Sequence, residues 1–358
     1  MSSVLTIIEF VFFFGLLIFF HELGHFLSCK ALGIEVEEFG FGYPPRLVKL
    51  FTWKGTDVTL NWIPFGGFVR PKGEGDETVP GGMAAAPAWK RFLVLVSGPM
   101  MNFVVGVVVL VVLFAGVGAP AVDKVLITDI SPNSPAEMAG LQVGDVITAI
   151  NDTKLNDLND LSTLIQANLG KEISLTVVRG DETLTLKLTP RVNPPEGEGA
   201  VGIWYTTPYE PQPLSQSIGY AFQAFASQLR ETVSLPYNLI TGRVSGENAR
   251  LVGVVGIYNI FSNASELDET APVATATPLP VFRLSVISTV SIALGLTNLL
   301  PIPALDGGQI LFLLPEFLFK KRVPQNVANA INSVFFLLLV ILMFYITLQD
   351  IINPITLP

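Results

Sequence analysis

His21-Glu22-Leu23-Gly24-His25 places two imidazoles one helical turn apart, with a carboxylate beside the first. On a helix, residues i and i+4 share a face. Both rings can therefore reach one metal ion, and Glu22 can take a proton from a water activated by that metal. These are the only two histidines in the chain. A catalytic zinc needs three protein donors and an open fourth position, so one donor must come from elsewhere. The motif sits near the end of an apolar run from Val4 to Leu27, long enough to span a bilayer. An ionised side chain at that depth costs about 2.5 kcal/mol or more unless partnered, which marks such a cluster as functional. The expectation is a hydrolytic metal site placed inside a membrane.

The elements that must position this site are apolar. The chain has 358 residues, mean hydropathy +0.54 and only 14% charged residues, unlike a soluble domain. A net charge of −9 argues against nucleic-acid binding, which requires a basic face. The single cysteine, Cys29, excludes an intrachain disulfide and any cysteine-rich zinc site. The N-terminus has neither a basic n-region nor a small-residue cleavage site, so the first apolar run is expected to be retained as a membrane helix. Further runs at Phe92–Val117, Leu284–Leu314 and Val327–Leu348 bring the expected spans to four, and the shorter Leu251–Phe261 patch is expected to lie at the interface or re-enter. Lysines and arginines cluster between the first and second spans and again at Lys320, Lys321 and Arg322. These loops are thus expected to be cytoplasmic, with both termini and the long middle region outside.

The third donor follows from distance. Cys29 stands about 12 Å along the helix from His21 and Glu9 about 18 Å the other way, at roughly 1.5 Å rise per residue. Asp350 falls at the outer end of the last span. Asp306 remains, within Asn298-Leu299-Leu300-Pro301-Ile302-Pro303-Ala304-Leu305-Asp306-Gly307-Gly308. Two prolines and two glycines there should break the third span, which a membrane tolerates only where protein or a wet cavity satisfies the freed backbone.

Between these parts, Leu32–Lys72 alternates apolar and polar residues broken by Gly and Pro, as short strands or hairpins do. It is either a segment dipping into the membrane beside the site, with edges able to pair an extended substrate, or a cytoplasmic β-hairpin. The second span opens on Ser97-Gly98-Pro99-Met100-Met101-Asn102; Gly98 and Pro99 are ordinary near a helix start, and Asn102 should point at protein. From Val122 to Arg191 the order is strand, helix, strand, helix and two strands, with Ser134-Pro135-Ala136-Glu137-Met138-Ala139-Gly140-Leu141 inside it. This resembles a PDZ domain of the permuted bacterial type, which implies binding of peptide segments by strand addition. Val192–Pro213 reads as a Pro/Gly/Glu-rich linker, and Leu214, Ile218, Phe222, Phe225 and Leu229 mark an amphipathic helix. That helix either lies on the outer membrane surface or packs on the PDZ module. Ser265–Pro280 reads as a polar loop.

The fold expected is a polytopic α-helical membrane protein with a membrane-associated β segment and an inserted α+β PDZ domain. Its parts are 1–117 with the first two spans, 118–192 the PDZ domain, 193–282 the linker, amphipathic helix and interfacial segment, and 283–358 the last two spans. Together HELGHF, SGPMMNF, the PDZ module and NLLPIPALDGG resemble the site-2 protease family of intramembrane zinc metalloproteases, above all bacterial members that cleave membrane-anchored anti-sigma factors. The resemblance implies Zn2+ held by His21, His25 and Asp306, with Glu22 as general base. It also implies substrate-proximal roles for Asn298, Asn102 and Pro301. Partners implied are single-span membrane proteins, membrane lipid and peptide segments at the PDZ domain, with no nucleic acid. The location implied is a bacterial inner (cell) membrane, with the active site near the cytoplasmic side and the PDZ domain outside. Gln309 stands where relatives often have His, and there is one PDZ module where some have two. The rival class is a non-proteolytic PDZ-containing membrane scaffold, which substituted ligands would have favoured.

Overall fold

The computed structural model describes residues 3–195, 197–243, 251–270 and 279–354. In chain order it contains α1 (Ser3–Leu32), β1 (Val36–Trp53), β2 (Thr56–Pro71), α2 (Ala88–Val117), β3 (Ala119–Pro120), β4 (Val125–Ile130) and α3 (Pro135–Met138). There follow β5 (Val146–Ile150), β6 (Thr153–Lys154), α4 (Leu158–Gln166), β7 (Ile173–Arg179), β8 (Glu182–Leu188), β9 (Ile203–Thr206) and β10 (Tyr209–Glu210). The rest is helical: α5 (Leu214–Ile240), α6 (Val254–Thr270), α7 (Val281–Asn298), α8 (Asp306–Phe319) and α9 (Gln325–Ile352). Contacts divide the described residues into two compact units, one of 3–113, 218–243, 251–270 and 279–354 and one of 114–195 and 197–217.

In the first unit, four helices (α1, α2, α7 and α9) are long and apolar enough to cross a membrane. Much of their apolar surface faces outward, as at Phe336 and Phe344 of α9, so lipid rather than protein covers it. Between such helices no hydrophobic driving force operates, and close packing with hydrogen bonds takes over. At the α2–α7 contact, a Cβ on Gly106 would stand 2.6 Å from Ile292 Cγ1, and one on Gly295 2.9 Å from the Pro99 carbonyl oxygen. The Ser288 and Ser291 hydroxyls donate to the Gly106 and Asn102 carbonyls at 3.1 and 2.7 Å. The Leu251–Phe261 patch leads into α6, whose Phe261 packs with Phe10 of α1 and Ile287 of α7. Asp350 of α9 is fully buried and accepts the Gly253 and Gly256 N–H groups at 2.9 Å, fastening the start of α6. The expected third span is two helices, α7 and α8, separated at the Pro/Gly run. The polar stretch after Ser265 stays helical to Thr270; residues 271–278 lie outside the described residues.

The β1–β2 hairpin is folded on itself into short strands: residues 38–41 pair with both 67–70 and 57–60, and residues 46–53 pair with 56–61. The breaks between these short strands fall around Pro44-Pro45 and Gly66-Gly67, where the pairing partner changes. Val36, Phe39 and Val58 face Phe26 and Cys29 of α1, whereas Leu47, Leu50, Phe51 and Trp53 toward the turn are exposed. The amphipathic helix α5 sets Phe225 edge-on to Phe103 of α2, with ring centroids 5.6 Å apart.

The second unit is an antiparallel six-stranded sheet in the order β8-β7-β5-β4-β9, with β6 on β5. Ile173, Leu175 and Val177 alternate inward along β7 and join Val125, Ile147 and Leu161 in its core. Ser134 caps α3, with Pro135 at its first position, and Asp157 and Asp160 form a capping box on α4. β9 lies in the stretch that reads as a linker; Ile203–Thr206 supplies the edge strand beside β4. Asp145 is 1% exposed and receives Nε and Nη2 of Arg179, both at 2.7 Å, plus the Gln142 N–H at 2.9 Å. Burial alone would raise the Asp145 carboxyl, but the guanidinium and the backbone donor outweigh it and hold it below the ordinary range.

Candidate metal centre

Two glycines let α1 and α2 meet at the HELGH motif. A Cβ on Gly24 would stand 2.3 Å from the Ser97 carbonyl oxygen, and one on Gly98 the same 2.3 Å from His25 Nε2. This close crossing gives each imidazole a partner from α2. His25 Nδ1 donates to the Val94 carbonyl at 2.7 Å, and His21 Nδ1 lies 3.2 Å from the Asn102 side-chain amide. That contact is the one polar contact of the Asn102 amide among the described residues, and Asn102 is 1% exposed. With both Nδ1 atoms engaged, both Nε2 atoms are free to face the same point.

Asp306 reaches that point from the first residue of α8. Its Oδ2 is 3.1 Å from His21 Nε2 and 3.5 Å from His25 Nε2, and the two Nε2 atoms are 3.1 Å apart. Tetrahedral zinc with bonds of about 2.0–2.1 Å needs donor–donor edges of about 3.3 Å. The nitrogen–nitrogen–carboxylate triangle fits that requirement in size and in donor chemistry. These three residues are the one candidate metal-holding group of His, Cys, Asp and Glu among the described residues. Cys29 is fully buried in the apolar cluster between α1 and the hairpin, and Glu9 pairs with Arg283 at 2.9 Å; neither joins the triangle.

Glu22, half-buried, points its stem toward β2, where a Cβ on Gly67 would lie 3.8 Å from Glu22 Cβ. Gly66, at φ +63°, passes so close to Ile18 of α1 that a Cβ would stand 2.5 Å from Cγ2. The hairpin thus runs directly beside the motif. An apolar cavity of about 560 Å³ opens between α1 and the hairpin, lined by Gly15, Phe19, Phe41, Leu60 and Gly66. A polar cavity, also about 560 Å³, lies on the Asp306 side, lined by Arg91, Gln309, Glu316, Arg322 and Asn329. Arg91 and Arg322 both pair with Glu316 there, and Arg322 also pairs with Glu77 at 3.0 Å.

The remaining residues expected at the site are placed differently. Asn298 is half-buried at the end of α7 and its side chain makes no hydrogen bond among the described residues; Pro301 is exposed in the loop beyond it. Asn102 lies against a histidine in the protein interior, so it has no surface for a substrate to touch. Gly24 and Gly98 act by being small. The pair of glycines in SGPMMNF and HELGH is the only trace of that role in the sequence.

A membrane-embedded His-Glu-His helix facing an aspartate on a broken helix defines a class, the membrane metallopeptidases, and comparison with known proteins gives the same result. Residues 9–342 match the model of peptidase family M50, so the chain belongs to that family, the site-2 proteases. It is a zinc-dependent protease, a hydrolase. A Clostridium perfringens protein named "Putative zinc metalloprotease" is 34% identical, over 96% of this chain and 97% of that protein. The "Regulator of sigma-W protease RasP" of Bacillus subtilis is 26% identical, over 97% of this chain and 98% of that protein. Among solved structures, a PDZ domain of an SdrC-like protein from Listeria monocytogenes is 20% identical and covers 24% of this chain and 88% of that one, with a TM-score of 0.22. The fold is that of a polytopic helical membrane protein carrying an inserted α+β sheet unit.

Proposed function

We propose that the chain hydrolyses peptide bonds within or near the transmembrane helices of single-span membrane proteins, with His21, His25 and Asp306 as the zinc ligands and Glu22 as the general base. The observation that carries this reading is the 3.1–3.5 Å triangle of two Nε2 atoms and one carboxylate oxygen. When bound there, zinc would polarise the scissile carbonyl and lower the pKa of water toward about 7. Glu22 takes the proton from the attacking water and delivers it to the leaving amine. Asn102 and the Val94 carbonyl hold the two imidazoles, each by Nδ1, so that Nε2 keeps its lone pair for the metal; in that tautomer His21 Nδ1–H needs an acceptor, which the Asn102 amide supplies once turned over so that its oxygen, rather than its nitrogen, faces the ring.

A substrate helix hides its peptide bonds in internal hydrogen bonds and must be unwound before attack. The hairpin strand beside Glu22 can supply replacement backbone partners to an extended segment. The apolar cavity between α1 and the hairpin suits a segment arriving from lipid, and the polar cavity beside Asp306 suits water. Asn298, near the same break, contributes an amide with no partner among the described residues, and Pro301 keeps the loop from continuing as helix. The basic loops support an orientation with the metal centre near the cytoplasmic face and the PDZ module outside, in a bacterial inner (cell) membrane. The PDZ module takes peptide segments and meters access; anti-sigma factors are the substrate type to try first, given the name of the Bacillus relative.

The test is cleavage of a single-span model substrate by the purified protein in lipid. Wild type should cut within or next to the span, and Glu22→Gln should bind zinc equally and not cut. Undiminished cleavage by Glu22→Gln would overturn the assignment of the base.

A further inference from the structure

We infer that Asn332 of α9 is a positioning residue for Asp306: it pins a left-handed Ala304 and thereby fixes the loop that presents the carboxylate. This rests on the reading of Asp306 as a zinc ligand. Ala304 has φ +76°, a region that residues with a Cβ rarely occupy. Its N–H donates to Asn332 Oδ1 at 3.1 Å, across 28 residues of sequence.

The rest of the loop is satisfied locally. Ile302 N–H bonds to the Leu300 carbonyl at 2.7 Å and Leu305 N–H to the Ile302 carbonyl at 3.1 Å, while Pro301 and Pro303 have no N–H. The Ala304 N–H alone among these is met from another helix. Without Asn332 it would be a partly buried donor with nothing to bond, in a conformation alanine does not favour.

The loop and the start of α8 move together. A Cβ on Gly307 would stand 2.2 Å from the Leu300 carbonyl oxygen, and one on Gly308 2.3 Å from that of Ile302. The first turn of α8 is thus seated directly on the loop backbone, and Asp306 is its first residue. Whatever fixes Ala304 fixes where the carboxylate stands relative to the two imidazoles. Asn332 also borders the polar cavity beside Asp306.

The test uses the full-length protein and zinc itself, with affinity read by competition against a chromogenic chelator and folding by thermal melting of the metal-free protein. Asn332→Leu should weaken zinc binding about 10- to 100-fold, the range of an outer-shell partner. Melting and KM should change little, and kcat should fall at limiting zinc. Asn332→Asp keeps the acceptor oxygen and should retain near wild-type affinity. Ala304→Gly combined with Asn332→Leu should recover part of the loss, because glycine adopts positive φ unaided. Wild-type zinc affinity in Asn332→Leu would overturn the inference. So would equal losses of affinity and melting temperature in Asn332→Leu and Asn332→Asp, which mark a merely structural contact. Asp306→Ala is the control: retained zinc there would overturn the ligand assignment itself, and the inference with it.

Discussion

Asp145 and Asp306 are both shielded carboxylates, and their surroundings are opposite in kind. Asp145, in the sheet unit, has a full complement: a guanidinium on both oxygens and a backbone N–H besides. Asp306, in the membrane unit, faces two imidazoles whose other nitrogens are already engaged. A cation already compensates the first, and the cluster is complete as it stands. The second groups donors around one point, and a positive ion at that point is what makes the grouping favourable. Completeness identifies a structural ion pair; three converging donors with their far sides tied down identify a site built for something else.

That contrast is open to attack by substitution. Removing Asp306 as Asp306→Ala should cost more zinc affinity than the roughly 10–100-fold of an outer-shell loss, while the metal-free protein melts no lower than wild type. Should metal-free melting fall as steeply as zinc affinity, Asp306 would be a structural residue like Asp145. Substituting one glycine at the helix crossing, Gly98→Ala, should cut cleavage about 10- to 100-fold, since its methyl would meet His25 Nε2. Kinetics on a model substrate check this, and a wild-type rate would mean the imidazole is not held where α2 places it.

Arg179→Met should do the reverse of Asp306→Ala. It leaves the Asp145 carboxylate without its cation and should lower the stability of the sheet unit, by less than a fully buried pair would because Arg179 is partly solvent-exposed. Zinc content should be untouched; protease susceptibility of residues 114–217 in the full-length protein reads the first effect and metal analysis the second. A smaller effect follows from pH. The Asp145 carboxyl is depressed in the folded state, so its contribution is complete above the unfolded value of about 3.9 and is lost as pH falls through the folded value. Asp145→Asn should flatten that acid-side loss of stability, with melting followed below about pH 5.

The motif and its distant partner were legible in the sequence for physical reasons. Two histidines on one turn, alone in the chain, and a carboxylate at a break in an apolar run are costly in lipid unless used. The residues that hold the histidines from behind were not legible. Gly98 reads as an ordinary helix-start residue until the fold shows His25 filling the space its missing Cβ leaves, and Asn102 reads as an amide that points at protein, with nothing in the sequence to say that its partner is His21. Likewise β9 hides in a Pro/Gly-rich stretch because Ile203–Thr206 is too short to register alone; its partner β4 makes it a strand. Pairing between distant segments decides all three, and local pattern carries no record of it.

Zinc stoichiometry of the purified protein tests the proposed centre most directly. One zinc per chain is expected in wild type and in Glu22→Gln, and almost none in His21→Ala, His25→Ala or Asp306→Ala. Full zinc content in Asp306→Ala would contradict a centre closed by that residue.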